Sequence, residues 1–172
     1  DLNKRAYVPF CVDHLEGIAQ ASMAAKRAGI PLDVLVEIDV GGERCGVLPG
    51  QQAVAMAKLV EDANGLRFAG LQAYHGSIQH IRDHLERHRA AEAAIILTRE
   101  TVAALSAEGY SCDIVGGAGT GTFQTEAVSG VYNELQAGSY VFMDADYSQN
   151  KDATGQEDRG FQNALFVLTT VM

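Results

Sequence analysis

The fold assignment begins with Leu32-Asp-Val-Leu-Val-Glu-Ile-Asp-Val-Gly-Gly-Glu-Arg44, an apolar run that ends in a polar, glycine-rich loop. Valine and isoleucine alternate with other residues along it, which predicts a strand over Leu32–Val40 with one apolar face. The other face ends in two carboxylates, Glu37 and Asp39. Carboxylates at a buried strand end need a cation nearby to stay ionised, and Arg44 is the candidate. A salt-bridge cluster at the surface is the alternative interpretation.

Similar segments flank this one on both sides, in the order strand, polar loop and helix. The helical spacing of apolar residues predicts a helix after each of the first three strands. We predict strands at residues 7–12, 32–40, 66–74, 112–115 and 132–142, and a further apolar strand at 164–172. Repeating units of roughly 30 residues predict a parallel sheet with right-handed crossovers.

Two of the helices carry more specific expectations. Asp13 and Glu16 follow the first strand with the spacing of a capping box, which predicts that Asp13 starts the first helix. The third helix is predicted to run from about Ile81 to Glu108. Helical spacing defines its buried side, which comprises Ala91, Ile95, Thr98, Val102 and Leu105.

The predicted strands fit two architectures. An open, doubly wound sheet can be built from five strands, whereas a complete (β/α)8 barrel needs about 250 residues. Polar residues favour the barrel, because they follow the carboxyl ends of successive strands, where barrel enzymes place their sites. They are Asp39 with Arg44, then Tyr74 with His75, and the glycine run from Gly116. We therefore predict an α/β fold, a partial (β/α)8 TIM barrel of about five βα units.

The run Val115-Gly-Gly-Ala-Gly-Thr-Gly-Thr-Phe123 places several backbone N–H groups on a loop with little side-chain bulk. Such a loop can hold a phosphate group without a charged side chain. It is not a Walker loop, since no Gly-Lys-Ser/Thr follows, and it lacks the GxGxxG spacing of a dinucleotide-binding loop. The run indicates a phosphate-binding loop, with a flexible turn as the alternative.

Tyr74 and His75 are adjacent ring side chains at the end of an apolar strand. Successive side chains of a strand point to opposite faces, so only one of the two rings readily faces the mouth of a barrel. His75 is explained equally well as a structural histidine.

His80, His84 and His88 recur with a helical spacing that suits a metal held by two imidazoles. Charged residues are interleaved with them, Arg87 among these, which favours a solvated helix face instead. His80 differs from the other two because it lies at the helix entrance, close to a strand end. There it is able to act as a general acid or base.

Composition excludes several classes of partner. Lys and Arg total 13 against 22 Asp and Glu, giving a net charge of -9, so we expect neither nucleic acid nor a membrane surface as a partner. No apolar run approaches the roughly 18 residues of a membrane span. Three dispersed cysteines without a CxxC pair suit neither a disulfide framework nor a zinc site, and favour the cytoplasm.

Four segments together resemble a known family: Val36–Val47, Gly70–His80, Gly117–Phe123 and Gly130–Tyr147. They are similar to the D-threonine aldolase and D-serine dehydratase family, fold-type III pyridoxal phosphate enzymes related to alanine racemase. The resemblance implies a barrel followed by a C-terminal β domain. We expect the pyridoxal phosphate-binding barrel portion at 1–147, a linker or surface loop at 148–160, and the start of the β domain at 161–172.

The resemblance also implies a site at the barrel mouth. Its expected members are one catalytic residue, His80, and six cofactor-binding residues, Arg44, Tyr74, Gly116, Gly117, Ala118 and Tyr140. The three consecutive loop residues and the Tyr140 hydroxyl would hold the cofactor phosphate. Arg44 and Tyr74 would lie beside the pyridine ring, and His80 would handle the proton of the substrate's β-hydroxyl group.

The activity implied is retro-aldol cleavage of a D-3-hydroxy amino acid, such as D-threonine or 3-hydroxy-D-aspartate, to glycine and an aldehyde or glyoxylate. A D-serine or 3-hydroxyaspartate dehydratase of the same family and a non-catalytic pyridoxal phosphate-binding protein are the alternatives. Members of this family are often homodimers, so we expect a homodimer for a full-length protein.

Two features of the family have no counterpart in this sequence. The Schiff-base lysine of the family follows the first barrel strand in a basic segment, whereas the lysines here stand in other contexts: Lys4, Lys26, Lys58 and Lys151. The divalent cation, Mg, Mn or Zn, is held in the C-terminal domain, so we assign no metal ligand within this sequence. We therefore expect an internal part of a longer enzyme, from about the fourth barrel strand onward, that is inactive alone.

Overall fold

The structure, a computed structural model, describes residues 2–170. Strands and α-helices alternate along them in the order β1 (Phe10–Val12), α1 (Leu15–Ala28), β2 (Leu32–Glu37), α2 (Gln51–Glu61), β3 (Leu66–Ala73), α3 (His84–Ala107), β4 (Ile114–Gly117), α4 (Phe123–Ala127) and β5 (Glu134–Leu135). Short 3-10 helices lie at Leu2–Lys4, Ser77–His80, Ser139–Val141 and Tyr147–Gln149. None of the helices in this described part is long and apolar enough to cross a membrane.

The strand order identifies the architecture. All neighbouring strands are parallel, and they follow one another as β1-β2-β3-β4-β5 in sequence order. A doubly wound sheet reverses its order at a switch point, whereas a barrel adds each new strand beside the last one. The predicted partial barrel is therefore confirmed, and the open doubly wound alternative is excluded for these five strands.

Alternation along the strands separates two faces of the sheet. Val34, Val36 and Ile38 are fully buried and pack with the helices in the hydrophobic core. The opposite, inner face is polar towards the carboxyl ends, because Glu37, Gln72, Gly116 and Glu134 occupy one register across β2 to β5. Barrel interiors are usually filled by branched apolar residues, so this polar layer distinguishes the carboxyl end of the sheet.

The strands are also tied together at their amino ends. Arg67 of β3 donates two hydrogen bonds to Asp33 of β2, at 2.7 and 2.6 Å, and one of 3.0 Å to Asp113, which precedes β4. These bonds to Arg67 lower the pKa of the Asp33 carboxyl group. The cluster spans three strands at the end of the sheet opposite the polar layer.

Gly70 lies at an irregularity in β3. The register with β2 shifts there, since Val34 pairs with Phe68 but Leu35 pairs with Gly70. Gly70 has a φ of 140°, and a Cβ atom on it would lie 1.8 Å from the carbonyl oxygen of Ile114. Only glycine therefore allows β3 and β4 to approach each other at this point.

The fifth strand is shorter than the 132–142 that we predicted. Strand geometry covers only Glu134–Leu135, and the N–H of Gln136 makes its last bond, to the carbonyl oxygen of Gly117, at 2.8 Å. A strand extends only as far as its partner, and β4 ends at Gly117 because Ala118 turns away with a φ of 66°. A short 3-10 helix at Ser139–Val141 follows instead.

The predicted capping box is wrong. The N-cap of α1 is His14, which makes no side-chain cap bond. Asp13 instead accepts a hydrogen bond of 3.1 Å from the N–H of Gly46, and so joins the end of β1 to the loop after β2. A long-range partner competes successfully for a side chain that local spacing assigned to the helix.

The third helix begins later than predicted, at His84, with Asp83 as its N-cap. The Asp83 carboxylate accepts a hydrogen bond of 2.9 Å from the N–H of Glu86. The delay arises because Ile81 is extended and follows a separate 3-10 turn. The predicted buried side is otherwise confirmed, with Val102 only partly buried.

No strand forms over the described part of the predicted strand 164–172. Residues 164–170 have no assigned secondary structure, and the large apolar side chains at 165–168 are exposed. Residues 171 and 172 lie outside the described residues. The assignment of 161–172 to a β domain, like that of 148–160 to a linker or surface loop, stays a prediction.

Candidate active site at the carboxyl ends of the strands

The loop after β2 carries Arg44 to the mouth. Asp39 shapes this loop, because its Oδ1 accepts hydrogen bonds from the N–H groups of Gly41 and Glu43, at 2.9 and 3.1 Å. Burial alone would raise the pKa of Asp39, but these loop N–H groups lower it below the usual value. The expectation that Arg44 neutralises Asp39 is therefore wrong, since backbone donors take that part.

Arg44 lies between Glu37 and Tyr74. Its guanidinium is 3.9 Å from the Glu37 carboxylate, and its Cζ is 5.9 Å from the centre of the Tyr74 ring. Burial raises the pKa of Glu37, with Arg44 opposing that effect. The structure thus brings together Arg44 and Tyr74, as the resemblance implied, and leaves the exposed guanidinium available to a ligand.

His75 packs against Gly41 in the loop after β2. It is buried, its Nδ1 lies 3.3 Å from the hydroxyl of Ser77, and a Cβ on Gly41 would lie 2.9 Å from its Nε2. Burial lowers the pKa of His75, with Asp39 acting in the opposite direction. Burial thus disfavours the charged form of His75, which packs under the loop, whereas the partly exposed Tyr74 ring lies beside Arg44.

The glycine run spans the end of β4 and the loop after it. Gly116 and Gly117 are still strand residues, and a Cβ on Gly117 would lie 2.5 Å from the ring of Tyr132. The free loop starts at Ala118, whose positive φ begins the turn. Tyr140 lies against this loop, since its backbone N–H donates to the Thr120 hydroxyl at 3.2 Å.

Gln79 binds this loop to the segment after β3. Its side-chain Nε2 donates to the carbonyl oxygen of His75 at 3.1 Å and to the Thr122 hydroxyl at 2.9 Å. Its Oε1 accepts from the N–H of Gly121 at 2.9 Å. Gln79 is buried, so all three bonds lie away from water and hold the two loops in a fixed relation.

Arg87 is buried as well, contrary to the solvated helix face that we predicted. Its guanidinium donates to the carbonyl oxygens of Gly121 at 2.9 Å, Ile81 at 2.6 Å and Lys151 at 2.8 Å. Burial lowers its pKa from the ordinary value of arginine. The side chain stays hydrogen-bonded to three separate segments, which explains how a charged residue is tolerated there.

His80 lies on the 3-10 helix between β3 and α3, where the sequence placed it. Its Nδ1 is 2.7 Å from the carboxylate of Asp146, and its ring lies 4.4 Å from that of Tyr147. The other two histidines of the series stack on each other at 6.2 Å, and His88 also lies 3.0 Å from the Thr125 hydroxyl. Residues 2–170 contain no group of three or more His, Cys, Asp or Glu placed to hold a metal ion.

A pair of glutamines on the inner face was missed by the sequence analysis. The amide groups of Gln72 and Gln136 exchange hydrogen bonds of 2.6 and 2.8 Å, and Gln136 also donates to Glu134 at 3.0 Å. Both lie over Gly116, where a Cβ would be 2.9 Å from Gln136 Nε2. Only the two-residue alternation of the strands pointed to these side chains, because their partners are distant in sequence.

These features define a class of protein, a parallel α/β barrel whose site lies at the carboxyl ends of its strands and includes a glycine-rich loop. Residues 2–146 match the family described as alanine racemase, N-terminal domain. The chain belongs to this family, and the resemblance given by the four sequence segments is confirmed.

Relatives within the family are close. The chain is 47% identical over 169 residues to a 3-hydroxy-D-aspartate aldolase of Paracoccus denitrificans, covering 97% of this chain and 44% of that protein. It is 45% identical over 171 residues to a D-threonine aldolase of Arthrobacter sp., covering 99% and 44%. The chain thus spans less than half the length of the curated relatives it matches.

Solved structures give the same grouping. The D-threonine aldolase from Filomicrobium marinum superposes with a TM-score of 0.89 at 50% identity, over 95% of this chain and 43% of that chain. A D-threo-3-hydroxyaspartate dehydratase from Delftia sp. HT23 gives 0.73 at 25% identity, over 83% and 38%. The aldolase is thus the more similar of these two structures.

Proposed function

We propose that the full-length protein is a pyridoxal phosphate-dependent lyase that cleaves D-3-hydroxy amino acids to glycine and an aldehyde or glyoxylate. The observation that carries this proposal is the 45–47% identity to two curated aldolases over nearly the whole chain. A dehydratase of the same family is the alternative. It is less favoured, because the chain is less similar to the Delftia dehydratase than to the aldolases.

The donor groups at the mouth fit pyridoxal phosphate. The phosphate needs hydrogen-bond donors without much bulk, and the loop offers the backbone N–H groups of Ala118 and Thr120, since those of Gly119 and Gly121 donate within the protein. Tyr140 reaches this loop through its own N–H, which donates to the Thr120 hydroxyl. The pyridine ring needs a flat partner and a polar edge, which Tyr74 and Arg44 supply side by side. Bound there, the cofactor supplies an electron sink for the bond that breaks.

We assign the cofactor site to Arg44, Tyr74, Gly116, Gly117, Ala118 and Tyr140. Gly116 and Gly117 lie within β4, so they contribute mainly by fixing where the strand ends and the loop begins. Arg44 and Tyr74, which lie beside each other, would hold the pyridine ring of the cofactor. His80 accepts the proton of the substrate's β-hydroxyl group at its Nε2, while Nδ1 faces Asp146.

The remaining expectations extend this proposal. We infer that a divalent cation, Mg, Mn or Zn, assists from ligands outside these residues, that two full-length chains form a homodimer, and that the enzyme works in the cytoplasm. The three cysteines are free thiols, which fits a reducing compartment.

Products test the proposal directly. The full-length gene product, loaded with pyridoxal phosphate and a divalent cation, should release glycine with acetaldehyde from D-threonine, or with glyoxylate from 3-hydroxy-D-aspartate. Release of a keto acid and ammonia instead would establish the dehydratase. Turnover of neither substrate, with the cofactor bound, would leave the non-catalytic alternative.

A further inference from the structure

His80 belongs to a closed circuit of hydrogen bonds. Asp146 Oδ2 lies 2.7 Å from His80 Nδ1, and its Oδ1 accepts from the guanidinium of Arg82. Arg82 also donates to the backbone carbonyl of Asp146 at 2.6 Å and to the side chain of Asn150 at 2.9 Å. Asn150 in turn donates to the carbonyl oxygen of Gln79, the residue before His80, at 2.9 Å.

This circuit fixes the carboxylate of Asp146 from two sides. Arg82 holds one oxygen and the backbone behind it, which leaves the other oxygen pointing at the imidazole. Asn150 and Gln79 are buried, so the far side of the circuit is anchored in the protein interior. Tyr147 packs against the imidazole ring with a tilt of 45° and limits its rotation.

The arrangement leaves one nitrogen of His80 free. Its Nδ1 faces a carboxylate, which only accepts hydrogen bonds, so Nδ1 carries the proton of the neutral ring. Nε2 has no hydrogen-bond partner among residues 2–170, and its lone pair is open to a ligand. Asp146 therefore selects the tautomer in which Nε2 is a base.

We infer that Asp146 is the positioning residue for proton transfer at His80. The inference rests on the proposed function. In that reaction the β-hydroxyl O–H bond breaks and its proton moves to His80 Nε2. The aldehyde C=O bond forms as the Cα–Cβ bond breaks, and the electron pair of that bond stays with the glycine half, where the bound cofactor would stabilise it. Cα then takes up a proton to give glycine.

An isolated, half-exposed ion pair would not have this effect, because such pairs contribute little on their own. The chain offers a comparison, since His88 Nε2 lies 3.3 Å from Glu92 on the surface of α3. That pair joins adjacent turns of one helix, whereas the Asp146 pair joins two loops and is held by Arg82 and Asn150.

The test uses the full-length holoenzyme with Asp146→Asn and, as the matched control, Glu92→Gln. Asn keeps the size of Asp but can donate to Nδ1, which permits the opposite tautomer; loss of such an orienting carboxylate is costly in other enzymes. For D-threonine cleavage we expect Asp146→Asn to lower kcat by about 10- to 100-fold, part of what general base catalysis contributes. KM should stay within about twofold of the wild-type value, because substrate binding is retained. Glu92→Gln should change neither constant.

The tautomer is measured separately by 15N NMR of histidine-labelled protein, with the His80 signals assigned by their loss in His80→Gln. Wild-type His80 should carry its proton on Nδ1, and Asp146→Asn should shift it towards Nε2. Wild-type protonation on Nε2 would overturn the inference, and so would an unchanged kcat in Asp146→Asn. The NMR measurement on the wild type needs no variant and therefore decides even if Asp146→Asn does not fold. Absence of aldolase activity in the wild type would reject the proposed function instead, and the NMR result would still report on the tautomer.

Discussion

Glu126 on α4 is a buried carboxyl group whose Oε2 has no hydrogen-bond partner among residues 2–170. Burial raises its pKa above the usual 4.5, and the hydrogen bond from Thr122 only partly opposes this. A raised pKa means that the folded protein favours the protonated form. The protonated Glu126 therefore contributes its full stability to the fold below the pKa of the unfolded chain. This contribution is lost as the pH rises through the raised pKa of the folded protein.

We therefore predict that Glu126→Gln stabilises the protein at high pH. An amide stays neutral at all pH values, so the variant avoids the cost of a buried carboxylate. The melting temperature of the full-length protein should exceed that of wild type at pH 8, with a smaller difference at pH 5. The exposed Glu100→Gln should show no such trend, and an equal effect of Glu126→Gln at both pH values would contradict the argument.

Arg87 and Asp146 show why some residues of the candidate site could not be predicted from their local sequence. Arg87 stands among charged residues of a helix, and its acceptors lie as far as 64 residues away. Asp146 is an ordinary exposed loop carboxylate until the fold brings it to His80. His80, Arg44 and Tyr74 could be predicted as site residues because motif resemblance, unlike composition, carries information about distant partners.

At the scale of an element, β3 depends on the absence of a side chain at Gly70. We predict that Gly70→Ala costs well above about 2 kcal/mol of unfolding free energy, because the new methyl group would overlap the carbonyl of Ile114 in addition to straining the backbone. Gly109→Ala is the matched control. It also has a positive φ but open space around it, so it should cost only about 1–2 kcal/mol.

Urea denaturation of both variants measures the difference. Equal losses in the two glycine variants would show that β3 and β4 separate without cost, and would contradict the close approach described above. A shift of β3 against β4 in Gly70→Ala would also move Gln72 away from Gly116, its partner in the register of these two strands.

Strand positions were predictable and strand ends were not. β-branched alternation predicted the strand at Leu32–Val40, and apolar or mixed runs placed the other four. The apolar run at 164–170 was predicted as a strand in the same way and forms none. The length of β5 depends instead on where β4 turns away, at Ala118. In the same way, Asp13 was assigned to the nearest helix although its partner is the N–H of Gly46, 33 residues away.

At the scale of the whole molecule, the two ends of the sheet have separate tasks. The Arg67 cluster joins the amino ends of three strands, and the candidate site lies at their carboxyl ends. We predict that Arg67→Met lowers the unfolding free energy by about 1 kcal/mol, less at 1 M salt, because the cluster is partly exposed and screened. Arg159→Met, which removes a single exposed ion pair, should have a smaller effect.

Affinity for pyridoxal phosphate provides the second readout for this pair of variants. It should be unchanged in Arg67→Met once the protein is folded. A loss of cofactor affinity that follows the loss of stability would show that the two ends of the sheet are coupled.

The architecture itself was accessible from the sequence, because polar residues after successive strands indicated one common mouth. The sequential strand order then distinguished the barrel from an open sheet, which composition alone left undecided.

The bonds of Gln79 and Arg87 have a practical consequence for altering the range of substrates by loop exchange. Gln79 connects the loops after β3 and β4, and Arg87 adds the carbonyl of Lys151 to the same unit. Grafting one of these loops with a different backbone path would move these carbonyl acceptors away from the buried amide and guanidinium donors. Transplants are expected to succeed only when residues 75–87, 118–126 and 146–151 are moved as a single cassette.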